Sequence, residues 1–110
     1  MQILIVTFNL NGIDEAAYRG MTEQVAPVFP GVPGLLSKLW LADRSSNTYG
    51  GVYVFSSREA VQGYLDSEIV AGLRANPSIA NVEARVFDTI EAATRVTQGP
   101  LPMFALDVAA

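Results

Sequence analysis

The succession of strand and helix signals in this 110-residue chain predicts an α+β fold, ferredoxin-like in its βαββαβ order, with one antiparallel sheet. Three observations carry that prediction. Four runs of β-branched and aromatic residues are each bounded by turn chemistry. Two stretches between them repeat apolar residues at spacings of three and four. The polar segment Asp43-Arg44-Ser45-Ser46-Asn47 joins the second and third runs as a hairpin.

Residues 3–8 are the first strand, stopped by the turn signal Asn9-Leu10-Asn11-Gly12. Asp14 can cap the next helix, whose apolar stripe is Tyr18, Met21, Val25 and Val28, and Pro27, Pro30 and Pro33 stop it. Residues 35–42 and 48–55 form the hairpin strands. Ser56 with Glu59 has the spacing of a capping box for the second helix, which turns Val61, Tyr64 and Leu65 inward. A further helical turn or two through Ile69 and Leu73 ends at Asn76-Pro77, and residues 82–88 are the fourth strand. Residues 91–97 read as a short added helix. The expected organisation is a single domain over residues 1–98 and an apolar tail over 99–110. That tail cannot be helical through its prolines, and its large side chains are expected to lie across this domain or a neighbour.

Composition removes several function classes. Half of the residues are hydrophobic and only 16% are charged, a richer apolar content than a solvated monomer of this size needs. Seven basic against eleven acidic residues give a net charge of −4, the wrong sign for gripping a phosphate backbone. The chain has no cysteine and no histidine, so thiol chemistry and the usual zinc ligands are absent, and its acidic residues are scattered in sequence. No Gly-x-Gly-x-x-Gly fingerprint or phosphate loop cradles a nucleotide. The apolar start lacks a basic flank and is too short for a signal peptide or membrane span, which leads us to expect a cytoplasmic protein without membrane contact.

Strand faces add a partner. Leu4, Val6 and Phe8 alternate with Ile3 and Ile5, and Tyr53 and Phe55 alternate with Val52 and Val54, so both faces of the sheet are apolar. Helices from so short a chain cover one face, and the other is expected to meet a second copy in an isologous homodimer. The same topology occurs in a module that reads RNA with aromatic residues on its first and third strands. Here those positions hold Val6, Gly50 and Val52, and the leading basic residue is replaced by Thr48, so no nucleic acid is expected.

Phe8-Asn9-Leu10-Asn11-Gly12, Pro33-Gly34-Leu35-Leu36-Ser37-Lys38-Leu39-Trp40, Gly50-Gly51-Val52-Tyr53-Val54-Phe55, Tyr64-Leu65 and Ala84-Arg85-Val86-Phe87-Asp88 together resemble the YdhR-like mono-oxygenase family of the dimeric α+β-barrel superfamily. The resemblance covers roughly residues 2–98. It implies a homodimer whose sheets pair into a barrel, with a pocket between sheet and helices in each protomer. It also implies cofactor-independent oxidation of a small aromatic substrate, phenolic or quinol-type, by dioxygen. Two other activities fit the same pocket: isomerisation or cyclisation of an aromatic or polyketide-like molecule, and non-catalytic binding of a small hydrophobic ligand. Haem-degrading relatives use a histidine ligand that this chain lacks, which disfavours haem turnover; no cofactor is expected.

On this resemblance the candidate catalytic residues are Asn11, Trp40 and Tyr53, and the candidate substrate-binding residues are Phe8, Lys38, Phe55, Tyr64 and Arg85. Asn11 could hydrogen-bond a phenolic or peroxy oxygen, although beside Gly12 it equally suits a turn. Trp40 could stack on a flat substrate or serve as core. Tyr53 could donate a hydrogen bond or fill the interior. Lys38 shares a strand face with Trp40 and could stabilise a phenolate, or instead reach solvent or an acid across the dimer. Arg85 is a similar case. A general base near neutral pH is hard to find in the sequence, so the substrate would have to be acidic already.

Overall fold

The computed structural model describes residues 1–97, and the apolar tail expected over residues 99–110 lies outside them. Strand β1 (Gln2–Leu10) is followed by helix α1 (Glu15–Val25), a 3-10 turn (Ala26–Gly31), the hairpin β2 (Leu35–Asp43) and β3 (Thr48–Phe55), helices α2 (Arg58–Leu65) and α3 (Glu68–Ala75), strand β4 (Ile79–Asp88) and helix α4 (Glu91–Thr97). The four strands form one antiparallel sheet in the order β2-β3-β1-β4. This is the ferredoxin-like arrangement that the sequence predicts.

Cross-strand register fixes which residues share a face. Leu4 lies between Tyr53 and Val86, and Tyr53 opposes Lys38 on the far side; Val6 lies between Gly51 and Ala84, and Gly51 opposes Trp40. That face is covered by α1, α2, α3 and the 3-10 turn, and it carries the core of Leu4, Val6, Phe8, Tyr53 and Phe55 packed on Tyr18, Phe29, Val61, Tyr64 and Val70. The opposite face carries Ile3 and Ile5 between Val52, Val54, Arg85 and Phe87, with Leu39 beyond Val52. Leu39 is 50% exposed and Phe87 40%.

Four boundaries differ from expectation, each for a local reason. β1 runs on to Leu10 because Asn9 and Leu10, read as turn residues, are tied into the sheet by other asparagines. The Asn9 amide donates to the Asn47 carbonyl at 2.8 Å, Asn81 donates to the Asn9 side-chain oxygen at 2.9 Å, and Asn47 donates to the Leu10 carbonyl at 2.9 Å. β4 begins at Ile79, earlier than expected, because Asn81 takes a left-handed backbone (φ 56°) and absorbs the register shift between Thr7 and Asn9 as a bulge. Ser57, and not Ser56, caps α2: its hydroxyl accepts from the Ala60 N–H at 3.1 Å, while the Ser56 N–H donates to the Gly34 carbonyl. The proline-rich segment after α1 continues as an ordered 3-10 turn that buries Phe29.

The rest of the layout anchors as anticipated. Asp14 caps α1 by accepting from the Ala17 N–H at 2.8 Å. At the next residue, the Glu15 carboxylate accepts from the Tyr49 hydroxyl at 2.8 Å, Arg19 at 3.0 Å and Arg44 at 3.1 Å, which fastens the start of α1 to the hairpin. The Tyr49 hydrogen bond, then the two guanidinium groups, bring its pKa down to about 2.

Candidate functional site

A cavity of about 350 Å³ opens between the covered face of the sheet and the helices, large enough for a small organic molecule. Phe8 forms part of its floor from β1, Lys38 and Trp40 from β2, and Tyr53 from β3. Tyr18, Met21 and Val25 of α1 make one wall, and Ile69 and Leu73 of α3 the facing one. Phe29 and Tyr64 close the interior end. The apolar stripe of α1 is only partly buried: Val25 is 45% exposed, so it lines a mouth rather than a sealed core.

Lys38 is the chemical centre of this cavity. Its Nζ lies 3.4 Å from the Trp40 ring centroid, 3.5 Å from that of Phe29 and 4.6 Å from that of Tyr53. Phe29 meets Trp40 edge to face, with centroids 5.3 Å apart, so the amine sits in a corner of ring faces. Of the ion pairs among the described residues, none involves Lys38. Two effects oppose each other here. Ring faces favour the ammonium by roughly 0.5–2 kcal/mol each, whereas withdrawing an unpaired ion from water costs several kcal/mol. Desolvation pushes the Lys38 pKa down to about 7. The fold therefore makes the near-neutral base that the sequence did not reveal.

Glycine makes room for it. A Cβ on Gly51 would lie 2.9 Å from Lys38 Cε and 3.1 Å from Tyr53 Cε1, so the bare backbone there leaves a slot for the lysine stem. Beside it, the Tyr64 hydroxyl donates to the Tyr53 oxygen at 3.1 Å. Both side chains are buried, 4% and 3% exposed. Burial raises both pKa values, with the neighbouring Tyr64 adding to the rise at Tyr53, and burial raises Tyr18 to about 12. All three stay neutral phenols at physiological pH. A pair of linked hydroxyls has one proton left over, which can be donated to a ligand oxygen.

The sequence-derived candidates divide accordingly. Phe8, Lys38, Trp40, Tyr53 and Tyr64 come together around the cavity. Phe55 lies beneath them, fully buried, its ring stacked 6.1 Å from Tyr53. Asn11 is away from the cavity: its side chain donates to the Pro77 carbonyl at 3.1 Å and its N–H to the Ser78 carbonyl at 2.8 Å, joining the end of β1 to the start of β4. Arg85 opposes Ile5 on the other face of the sheet, with its guanidinium 5.0 Å from the Phe87 ring. Phe29 and Asn76 are wall residues that sequence reasoning missed. Phe29 carried a readable signal, since an aromatic held between Pro27 and Pro30 is pinned rather than loose.

A sheet with helices on one side and an aromatic cavity beneath them defines an α+β protein with a cavity of small-molecule size. The family described as "Putative mono-oxygenase ydhR" matches residues 3–100, and the chain belongs to that family. No curated protein sequence matches it. Among solved structures it is similar to the heme-degrader MhuD of Mycobacterium tuberculosis with two hemes bound in its active site (20% identity, TM-score 0.66, 82% of this chain and 96% of that one). It is also similar to SnoaB, a cofactor-independent oxygenase from Streptomyces nogalater (19%, TM-score 0.63, 80% and 91%). A third likeness is to NE2512, a protein of unknown function from Nitrosomonas europaea (20%, TM-score 0.69, 81% and 88%). At these identities the likeness is one of fold. Among the described residues no three acidic side chains converge as a metal site needs, and no helix is long and apolar enough to cross a membrane.

Proposed function

We propose that this chain is a cofactor-independent mono-oxygenase that oxidises a phenolic or quinol-type small molecule with dioxygen in the cavity over Lys38. The observation that carries the proposal is one unpaired amine, titrating near neutrality, in a cavity with aromatic and aliphatic walls that suits a flat apolar substrate. Membership of a mono-oxygenase family supports the reaction class. The substrate hydroxyl passes its proton to neutral Lys38, and the resulting ammonium pairs with the phenolate. That anion reduces dioxygen directly. One oxygen atom enters the ring and the other leaves as water. Both electron pairs come from the substrate, a ring methylene of the keto tautomer becoming a carbonyl, so no external reductant is consumed. Tyr53 donates its hydroxyl proton to the oxygen on which charge develops, and the apolar walls exclude water. Heme use is not part of this proposal, because the chain has neither the histidine nor the cysteine that most often hold heme iron.

Oxygen uptake by metal-free protein across naphthoquinols, anthrones and catechols tests the proposal, with protein-free autoxidation subtracted. Saturable uptake is expected, and Trp40→Phe should reduce it about five- to tenfold through lost stacking area while costing under about 1.5 kcal/mol of stability, since Trp40 is 38% exposed. Absence of saturable uptake in folded protein would sink the oxygenase reading. Product formed equally well under argon would favour isomerisation or cyclisation.

The same proposal includes a cytoplasmic homodimer built on the outer face of the sheet. Ile3, Ile5, Leu39, Val52 and Phe87 leave apolar surface open there around Arg85, and a second copy of this face would cover it. Sedimentation equilibrium should show a dimer at micromolar concentration and a monomer for Leu39→Glu. A monomeric parent protein would refute this part.

A further inference from the structure

Lys38 is the only lysine in the chain; the other six basic residues are arginines. Arg19, Arg44 and Arg58 are ion-paired at the surface. The one side chain that can shed its proton near neutrality, which arginine cannot, is the one placed in the cavity. We propose that Lys38 is a nucleophilic amine that captures flat aromatic aldehydes and ketones as an imine, a carbonyl-addition activity that needs no dioxygen. The inference goes beyond the oxygenase reading and does not depend on it.

The surroundings suit a nucleophile. A protonated amine has no lone pair, so attack needs the neutral form. The groups facing Lys38 do nothing to hold its charge by ion pairing. β1 and the 3-10 turn contribute Phe8 and Phe29; α1, β3 and α2 contribute Tyr18, Tyr53 and Tyr64, all kept neutral by burial. Glu68 at the start of α3 is the one carboxylate on the wall, and it is exposed and makes no ion pair with the amine. Val25 of α1 and Ile69 and Leu73 of α3 wall the rest of the cavity, and an aromatic carbonyl compound lying against them can bring its carbonyl carbon to Nζ.

The chemistry balances without a further reagent. The Nζ lone pair forms a bond to the carbonyl carbon, and the C–O π pair moves onto oxygen, which takes a proton from the Tyr53–Tyr64 hydroxyl pair. The carbinolamine then loses that oxygen as water while nitrogen sheds its protons and forms the C=N bond. One amine and one carbonyl yield one imine and one water, and solvent returns the tyrosine proton.

The test uses the full chain, 6-hydroxy-2-naphthaldehyde and sodium cyanoborohydride under argon, read by intact mass and peptide mapping. One reduced adduct on Lys38 is expected, saturating with aldehyde and forming at least about 100-fold faster than on N-acetyl-lysine amide at neutral pH. Protection by 2-naphthol places the reaction in the cavity. The Met1 amine, ion-paired to Glu91 at 2.7 Å, is the only other primary amine, and mapping separates it. Lys38→Met should lose the adduct. Labelling confined to Met1, labelling of Lys38 no faster than the free amine, or labelling that neither saturates nor responds to 2-naphthol would overturn the proposal. Argon excludes the oxygenase reaction, so this outcome and that of the uptake assay are independent.

Discussion

Lys38→Met is expected to cut oxygen-dependent turnover by at least about 100-fold, the lower end of what a positioned general base supplies, while leaving stability at neutral pH unchanged or higher by about 1 kcal/mol. Methionine keeps most of the stem that lies in the Gly51 slot, so packing is largely preserved. What disappears is an amine whose charge the folded state disfavours. Burial lowers its pKa from 10.5 to about 7, and the sign of the pH effect follows. Below about pH 7 the amine is protonated in both folded and unfolded chains, and the full cost of burying the ion is present. Between pH 7 and 10.5 the folded chain releases its proton first, and that cost fades as pH rises. The parent protein should therefore gain thermal stability relative to Lys38→Met on going from pH 7 to pH 9. That window stops short of tyrosine ionisation in the unfolded chain. A variant less stable by the same amount at every pH would mean that the ammonium is held by a partner, and the base assignment would fail with it.

Much of the frame of this cavity was legible in the sequence, because strand periodicity places residues two apart on one face whatever the tertiary context. Lys38 and Trp40 were on one face by that rule, and Tyr53 and Phe55 on another, and cross-strand register makes these one floor. Asparagines were harder to read. Asn9, Asn47 and Asn81 have turn-forming chemistry, yet here they use it to lock strand ends to one another across the sheet, a non-local role that no local pattern encodes. The state of Lys38 was illegible for a related reason. Its pKa depends on which side chains other elements bring to it. Phe29 arrives from the 3-10 turn, from a segment whose prolines read as an ending rather than as a scaffold.

Gly50→Ala should destabilise the fold by about 3–5 kcal/mol, among the largest losses for any single methyl in this chain. Gly50 has φ +148°, a conformation that an L side chain rarely adopts, and a Cβ built there would fall 1.8 Å from the Val6 carbonyl oxygen. Both obstacles are backbone, so no side-chain rotation relieves them; β1 and β3 would have to separate at the centre of the sheet. Its neighbour makes the informative contrast. At Gly51 the added methyl meets Lys38 Cε at 2.9 Å, the Tyr53 ring at 3.1 Å and the Leu39 carbonyl oxygen at 3.2 Å, and the tightest of these contacts is to a flexible side chain that can move. Gly51→Ala should accordingly retain most of its stability and lose function, because yielding to the methyl shifts the Nζ away from the rings of Trp40 and Phe29. Gly63→Ala, in α2 with nothing within 4 Å of the new methyl, serves as the control and should be neutral or stabilising by roughly 0.5–1 kcal/mol. Urea denaturation of the three variants, run beside the turnover and aldehyde-labelling assays, separates the two roles of the Gly50-Gly51 pair. If Gly51→Ala kept full activity and labelling, the slot would not be what positions Lys38, and the case for a built amine site would rest on the aromatic rings alone.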